Sequence, residues 1–510
     1  MDCDPASLYS RSGRDSVATE RYRTTENPVN LDPNSEDSTL DIYCIAIGGT
    51  GMAPLACLLK DLGHRVRGSD GPLYPPMSTL LDDAGIEPLV GWDSGRFDPP
   101  PDLVVVGNAV PRHNPEAEAV EAMGLQRLSM PETLGRFLLA SRKPLVVAGT
   151  HGKTTTTSMA SWVYSHGGAD PGYLIGGVPK NLESSFRIGT GQRFIIEGDE
   201  YNASYFDRGP KFLHYQPHTL ILTSVEYDHA DLYPDPESLL DAYRRLVALV
   251  PEDGLLVACG DTQALRDVVA HARCRTVFYG LGDHNDVYPV ETLDSGTHRI
   301  ADHGSESTLR LQVPGEHNLS NALAVWAAAR HDGLSAEAID EAFAAFEGVR
   351  RRLDELGTVD ISRGEPGVTV VDDFAHHPTA VEKSLGGLRQ AYPGRRIITL
   401  FEPRSLTAGR AFFFDAYRQA FAHADVVLLA PIFHAGRLTD DERLDIVDLV
   451  AQLQADAVSA TLCESVDALL AKALDLAEPG DVLVTMSSGS FEGLPHRLLA
   501  ALDPEASKNT

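Results

Sequence analysis

The stretch PLVVAGTHGKTTTTSMASWVYSHGG, residues 144–168, limits what this chain can fold into more than any other. A short apolar run passes through a loop with two glycines directly into helical spacing. That reads as a buried strand, a loop and a helix. Gly149 and Gly152 let backbone N–H groups face a phosphate, and the helix that opens there adds the positive end of its dipole. Lys153 is spaced to reach β and γ phosphates, and Thr154 to offer a hydroxyl to Mg²⁺. Gly149, Thr150, His151, Gly152, Lys153, Thr154 and Thr155 therefore form a candidate nucleotide loop. The full G-x-x-x-x-G-K-[ST] pattern wants glycine where Val147 stands, so the preceding strand and following helix carry the reading.

The same grammar starts twice more. IYCIAI (42–47) runs into GGTGM (48–52), the helical APLACLLKDLG (53–63) and the strand HRVRGSD (64–70), the opening of a dinucleotide-type fold. LVVVGN (103–108) continues it. VTVVDDF (368–374), RIITLFEP (396–403), DVVLLAPI (425–432) and DVLVTMSSG (481–489) form a third series, with helices between. Alternating apolar strands and helices predict an α/β chain with parallel sheets covered on both faces. At about 150 residues per domain, the 510 residues also suggest three domains. The expected division is a polar, disordered extension (1–40), then domains at 41–141, 142–345 and 346–505.

Composition narrows the function classes. A net charge of −30 argues against binding a phosphate backbone or an anionic membrane surface. No apolar run reaches the roughly 18 residues of a membrane span, and no secretory signal is visible. The six cysteines stand in no metal or disulfide spacing. A cytoplasmic enzyme of small molecules is expected, as a monomer or homodimer. Only eight of the 43 cationic side chains are lysine.

Further candidates stand at strand ends, where ligands bind in open α/β sheets. Glu197, ahead of Asp199 and Glu200, is the expected carboxylate for Mg²⁺ beside Thr154. His229 in SVEYDHAD (224–231) can ligate a second metal or position a phosphate. Asn318 and Asn321 share one face of the helix beginning in GEHNLSNALA (315–324), where an amide can address an adenine edge. In VDDFAHHPT (371–379), Asp373 can hold a ribose hydroxyl and His376 a phosphate or carboxylate. Arg404 in EPR (402–404) can clamp a carboxylate, and the backbone of SSGSF (487–491) can do likewise.

GTHGKTTTT, EGDEY, EYDHAD, GEHNLSNALA and DDFAHHPT, in that order, resemble the Mur ligase family from about Ile42 to near Leu502. The resemblance implies a Rossmann-like UDP-binding domain, a central P-loop ATPase-like domain and a Rossmann-like C-terminal peptide domain. It implies an ATP-dependent amide ligase acting through an acyl phosphate. Lys153, Glu197, His229 and His376 would be catalytic. Thr154, Glu197 and His229 would hold two Mg²⁺ ions. Residues 149–155, Asn318, Asn321, Arg352 and Asp373 would bind ATP. Gly48, Gly49, Thr50, Gly51, Met52, Asp70 and Asn108 would bind the UDP-sugar, and Arg404, Ser488, Gly489 and Phe491 the peptide.

GSDGPLYPPMSTLL (68–81), VVGNAVPRHNP (105–115), FDRGPKFLHYQP (206–217) and FEPRS (401–405) point to one branch of that family. It joins L-Ala-γ-D-Glu-meso-diaminopimelate to UDP-N-acetylmuramate in murein recycling. The alternative is the branch that adds L-alanine, which more typically shows DDYGHHPT, with glycine where Ala375 stands. A non-catalytic nucleotide sensor is a third reading. The carbamylated lysine of some members is absent, since no lysine occurs between Lys211 and Lys383.

Overall fold

The computed structural model describes residues 39–228, 232–362 and 365–503. The extension expected over 1–40 lies outside them except for Thr39 and Leu40, and so does His229. Leu40 already belongs to the fold: it is buried and its carbonyl accepts from Arg65 N at 2.9 Å.

Three sheets carry the described chain. The first is wholly parallel, ordered Leu89–Val90, Arg65–Asp70, Asp41–Ile45, Leu103–Val106, Arg127–Ser129. Apolar side chains fill Asp41–Ile45 and Leu103–Val106, as expected of strands with both faces covered.

The second sheet has ten strands, and Lys143–Ala148 lies between Thr219–Leu222 and Arg193–Gly198, parallel to both. The run TLILTSVEYDH ends as a strand at Leu222, because Thr223 turns back and its hydroxyl donates to the His151 carbonyl beside Ala148. Both edges carry antiparallel pairing: Val287–Asp294, Thr297–Asp302 and Ser305–Arg310 form a meander at one, and Gly172–Leu174 pairs with Phe186–Arg187 at the other. An all-parallel reading misses the meander, since Val287–Asp294 and Ser305–Arg310 expose most of their side chains and Thr297–Asp302 is mostly half-buried, so none carries an apolar run.

The third sheet runs Asp354–Val359, Val368–Asp373, Val482–Met486, Ile397–Phe401, Val426–Leu429, Ser459–Leu462, antiparallel only at the first pair. Its strands divide by alternation. Val371, Phe401, Leu429 and Val484 enter one core, and Val370, Leu400, Leu428 and Leu483 the other. Helices cover both faces, which leaves the carboxyl ends of the strands to carry the polar groups.

No helix among the described residues is long and apolar enough to cross a membrane. The described cysteines, Cys44, Cys57, Cys259, Cys274 and Cys463, are free thiols.

Candidate active site

The central loop leaves strand Lys143–Ala148 and enters helix Lys153–His166. Gly149 sits at φ +135°, and a Cβ there would lie 2.2 Å from Thr223 Oγ1 and 2.8 Å from Ser224 N. Only glycine fits. Gly152 at φ +81° is packed by Asn321, whose Oδ1 is 2.7 Å from where a Cβ would stand. The backbone cradle is therefore fixed by what surrounds it. Thr150 N donates to Ser224 O, and His151 N to Ser224 Oγ.

Lys153 folds back over the loop: Nζ donates to Gly149 O at 2.7 Å and to Glu200 Oε2 at 2.9 Å. Burial alone would lower its pKa, but the charges of Glu200 and Asp199 outweigh burial and raise it, so the ammonium stays charged. Thr154 Oγ1 donates to Glu197 Oε2 at 3.1 Å, and Arg352 Nη2, reaching from the third segment, donates to Thr154 Oγ1 at 3.3 Å. Burial, then the Asp199 charge, pushes the Glu197 carboxyl up to about 7. A hydroxyl and a carboxylate of that kind, beside a glycine-rich phosphate cradle, are the oxygen donors that suit Mg²⁺. Thr155 opens the helix behind them, half-buried.

Asn318 and Asn321 are both buried, on a helix that starts at Glu316 with Gly315 as its cap. Asn318 Nδ2 donates to Pro314 O at 2.7 Å. Asn321 stands against the phosphate loop. Asp373 closes the hinge, accepting from Leu353 N at 2.6 Å and Ala375 N at 2.7 Å. Arg352 next to that hinge lies over the Phe374 ring, 4.5 Å from its centroid.

The first loop is built differently. Asp70, at the end of the neighbouring strand, accepts from Gly48 N and Gly71 N, both at 2.7 Å. Its carboxylate thereby shapes the loop that precedes helix Met52–Asp61. Gly49 and Gly51 continue the turn and Thr50 is exposed. Met52 departs from the expected binding role: its side chain is buried under the loop, so only its backbone faces outward chemistry. Asn108 Nδ2 donates to Asn202 O, joining the first and second segments.

At the ends of the third sheet's strands, Arg404 lies 3.9 Å from the Phe433 ring centroid and 3.4 Å from Glu402. Gly489 makes room for it, since a Cβ would meet Arg404 Nε at 1.9 Å. Ser488 is half-buried beside it. The Arg351 guanidinium holds this loop through the carbonyls of Ser487 at 2.8 Å and Gly489 at 2.5 Å. His376 is fixed through its carbonyl, which accepts from Tyr417 Oη at 2.6 Å, and burial lowers its imidazole pKa. Phe491 is a correction: it belongs to the core with Leu494 and Leu498, because the chain re-enters a helix there, and it cannot line a peptide site.

Sequence reasoning passed over Glu200 as the partner of Lys153, and Arg351 as the strut of the 487–489 loop. The EGDEY spacing contained the first. Nothing local signals the second, whose partners lie more than 130 residues away.

Three family models match the chain: "Mur ligase family, catalytic domain" at 41–142, "Mur ligase middle domain" at 147–329 and "Mur ligase, glutamate ligase domain" at 359–489. The UDP-N-acetylmuramate–L-alanyl-gamma-D-glutamyl-meso-2,6-diaminoheptandioate ligase of Escherichia coli strain K12 is 39% identical, covering 91% of this chain and 99% of its own. A UDP-N-acetylmuramate–L-alanine ligase of Desulforamulus reducens is 32% identical over 91% of this chain and 98% of its own. The crystal structure of a murein peptide ligase from Psychrobacter arcticus 273-4 superposes with a TM-score of 0.67 at 33% identity, covering 91% and 98% of the two chains. With family models over all three sheets and relatives along nearly its whole length, the chain belongs to the Mur ligase family.

Proposed function

We propose that this protein is an ATP-dependent ligase of murein recycling. It joins the amine of L-alanyl-γ-D-glutamyl-meso-diaminopimelate to the lactyl carboxylate of UDP-N-acetylmuramate. The observation that carries this reading is the likeness, along 91% of the chain, to the Escherichia coli ligase named for that tripeptide. The intact Lys153, Thr154, Glu197 and Glu200 cluster supports it.

Labour divides by segment. Residues 41–141 take the UDP-sugar on the Gly48–Met52 loop, 142–345 take ATP, and 346–505 present the peptide. The lactyl carboxylate attacks the γ-phosphorus of ATP and expels ADP, and the peptide amine attacks the carbonyl of the resulting acyl phosphate, losing a proton and releasing phosphate. Lys153 holds a fixed positive charge where phosphoryl oxygens gain negative charge. Thr154 and Glu197 would hold Mg²⁺, with His229 assigned to a second ion; the metal supplies Lewis-acid screening of the phosphates. Arg352 brings the third segment onto Thr154, and closure keeps water from the acyl phosphate. Arg404 receives a peptide carboxylate, and His376 orients the nucleophile. A cytoplasmic location fits Mg²⁺–ATP chemistry on a UDP-linked substrate.

The test is phosphate release from purified protein given UDP-N-acetylmuramate, ATP and Mg²⁺ with either the tripeptide or L-alanine. Release with tripeptide is expected. Release with L-alanine alone would assign the protein to the alanine-adding branch. No turnover with either would leave a nucleotide-binding protein without this chemistry.

A further inference from the structure

At the edge of the ATP loop lies a side-chain cluster to which the ligase reaction as proposed gives no metal role. His151 comes from the loop itself, Glu226 from the segment after strand Thr219–Leu222, and His377 from the cap of helix Pro378–Ala391 in the third segment. One donor atom of each lies within 4.8 Å of the others. His151 Nε2 is 3.1 Å from Glu226 Oε2, and His377 Nδ1 is 3.9 Å from the same oxygen. A tetrahedral ion with bonds of about 2.0–2.1 Å holds its ligand atoms about 3.4 Å apart. The two Glu226 edges bracket that spacing, and the His151–His377 edge, at no more than 4.8 Å, would close on it as an ion drew the three side chains together.

We propose that His151, Glu226 and His377 form a binding site for a divalent ion of the zinc class, bridging the ATP loop and the third segment.

The donor set selects the ion. Two imidazoles and one carboxylate suit Zn²⁺, Co²⁺ or Ni²⁺, whereas Mg²⁺ demands oxygen ligands and keeps its waters. Glu226 and His377 already favour the protonation states of ligands. Burial alone would raise the Glu226 carboxyl, but its hydrogen bond and charge contact with His151 hold it down at about 2. Burial pushes His377 down to about 4, leaving a neutral imidazole.

The His377 ring is also poorly engaged by protein. Nδ1 has only a long 3.3 Å bond from Thr379 N, and Nε2 is buried with no hydrogen-bond partner. Packing against His151 and Phe413, with centroids at 4.7 Å in both cases, keeps it in place. Thr379 Oγ1, 2.7 Å from Glu226 Oε2, or a water would stand at the fourth position. A second cluster, Glu132, Asp207 and His214, provides the contrast. There the Glu132 carboxylate is taken by Ser129 N at 2.7 Å and His214 by Asp207 at 2.6 Å. One ion per chain is therefore expected.

The probe is Co²⁺, then Zn²⁺ in competition, added to tag-free, nucleotide-free full-length protein in excess Mg²⁺. Bound Co²⁺ is read by its visible absorption, and stoichiometry by equilibrium dialysis. One ion per chain is expected, with a tetrahedral spectrum, displaced by Zn²⁺ and unmoved by Mg²⁺. Glu226→Gln removes the charged ligand. His377→Asn removes the imidazole but keeps a side chain that caps helices well. Each is expected to weaken binding at least tenfold, with folding checked by circular dichroism. No bound ion, binding unchanged in folded variants, or displacement by Mg²⁺ would each overturn the site. None of these readouts depends on which peptide the ligase accepts.

Discussion

The two glycine loops of this molecule share one backbone plan and differ in what surrounds it. Both follow a buried parallel strand and open a helix, so both present N–H groups and a positive helix end to an anion. Around residues 149–155 the neighbours are a lysine, a threonine hydroxyl and the carboxylates Glu197 and Glu200. Around residues 48–52 the neighbour is a single carboxylate, Asp70, turned onto the loop's own amides. The first arrangement can move charge onto and off a phosphoryl group. The second can only hold a diphosphate still. On the proposed function a shared cradle serves reaction in one place and recognition in the other, and the side chains at the neighbouring strand ends set the difference.

The largest expected break of this contrast is Lys153→Ala. It removes the ammonium folded over the central loop, so kcat should fall by about 10³-fold, the scale of losing a fixed charge at the transition state. Steady-state turnover checks the fall, and calorimetry should show UDP-N-acetylmuramate binding unchanged. Gly149→Ala comes next. Its Cβ would strike Thr223 Oγ1 and the Ser224 backbone at a φ that side chains rarely adopt. The expected cost is about 1–3 kcal/mol of strain, seen as a lower Tm and lost thermal stabilisation by ATP.

Asp70→Ala should act on binding alone. It leaves Gly48 N and Gly71 N without their acceptor, so KM for the UDP-sugar should rise by about tenfold at nearly constant kcat, matching about 1–2 kcal/mol. A large fall in kcat would show that the first loop takes part in the chemistry. The smallest effect belongs to Gly51→Ala. Its Cβ meets only the terminal methyl of Met130, a flexible neighbour, so KM should move less than about twofold.

What could be read from the chain follows the same physics. Strands buried on both faces announce themselves as apolar runs, which is why the parallel strands and both glycine loops were legible. The antiparallel meander over 287–310 was not, because exposed strands such as Ser305–Arg310 carry no such run. Lys153, Thr154 and Glu197 were legible because a loop and a strand end place them by short-range rules. The strut from Arg351 to Gly489, and the closing contact of Thr379 with Glu226, depend on how distant segments pack, and no local pattern records that. Phe491 misled for the opposite reason: a loop signature, SSGSF, ends on a residue that belongs to the core.

The charge imbalance also finds a local meaning. A chain of net charge −30 acts on anionic substrates by gathering cations at a few points, Lys153 and Arg352 at the central loop and Arg404 at the peptide end.

The most direct measurement places ¹⁸O in the lactyl carboxylate of UDP-N-acetylmuramate and follows it during turnover with ATP, Mg²⁺ and the tripeptide. Ligation through an acyl phosphate predicts one ¹⁸O in each phosphate released and the tripeptide mass added to the UDP-sugar. Phosphate free of ¹⁸O, with ATP consumed, would contradict the account.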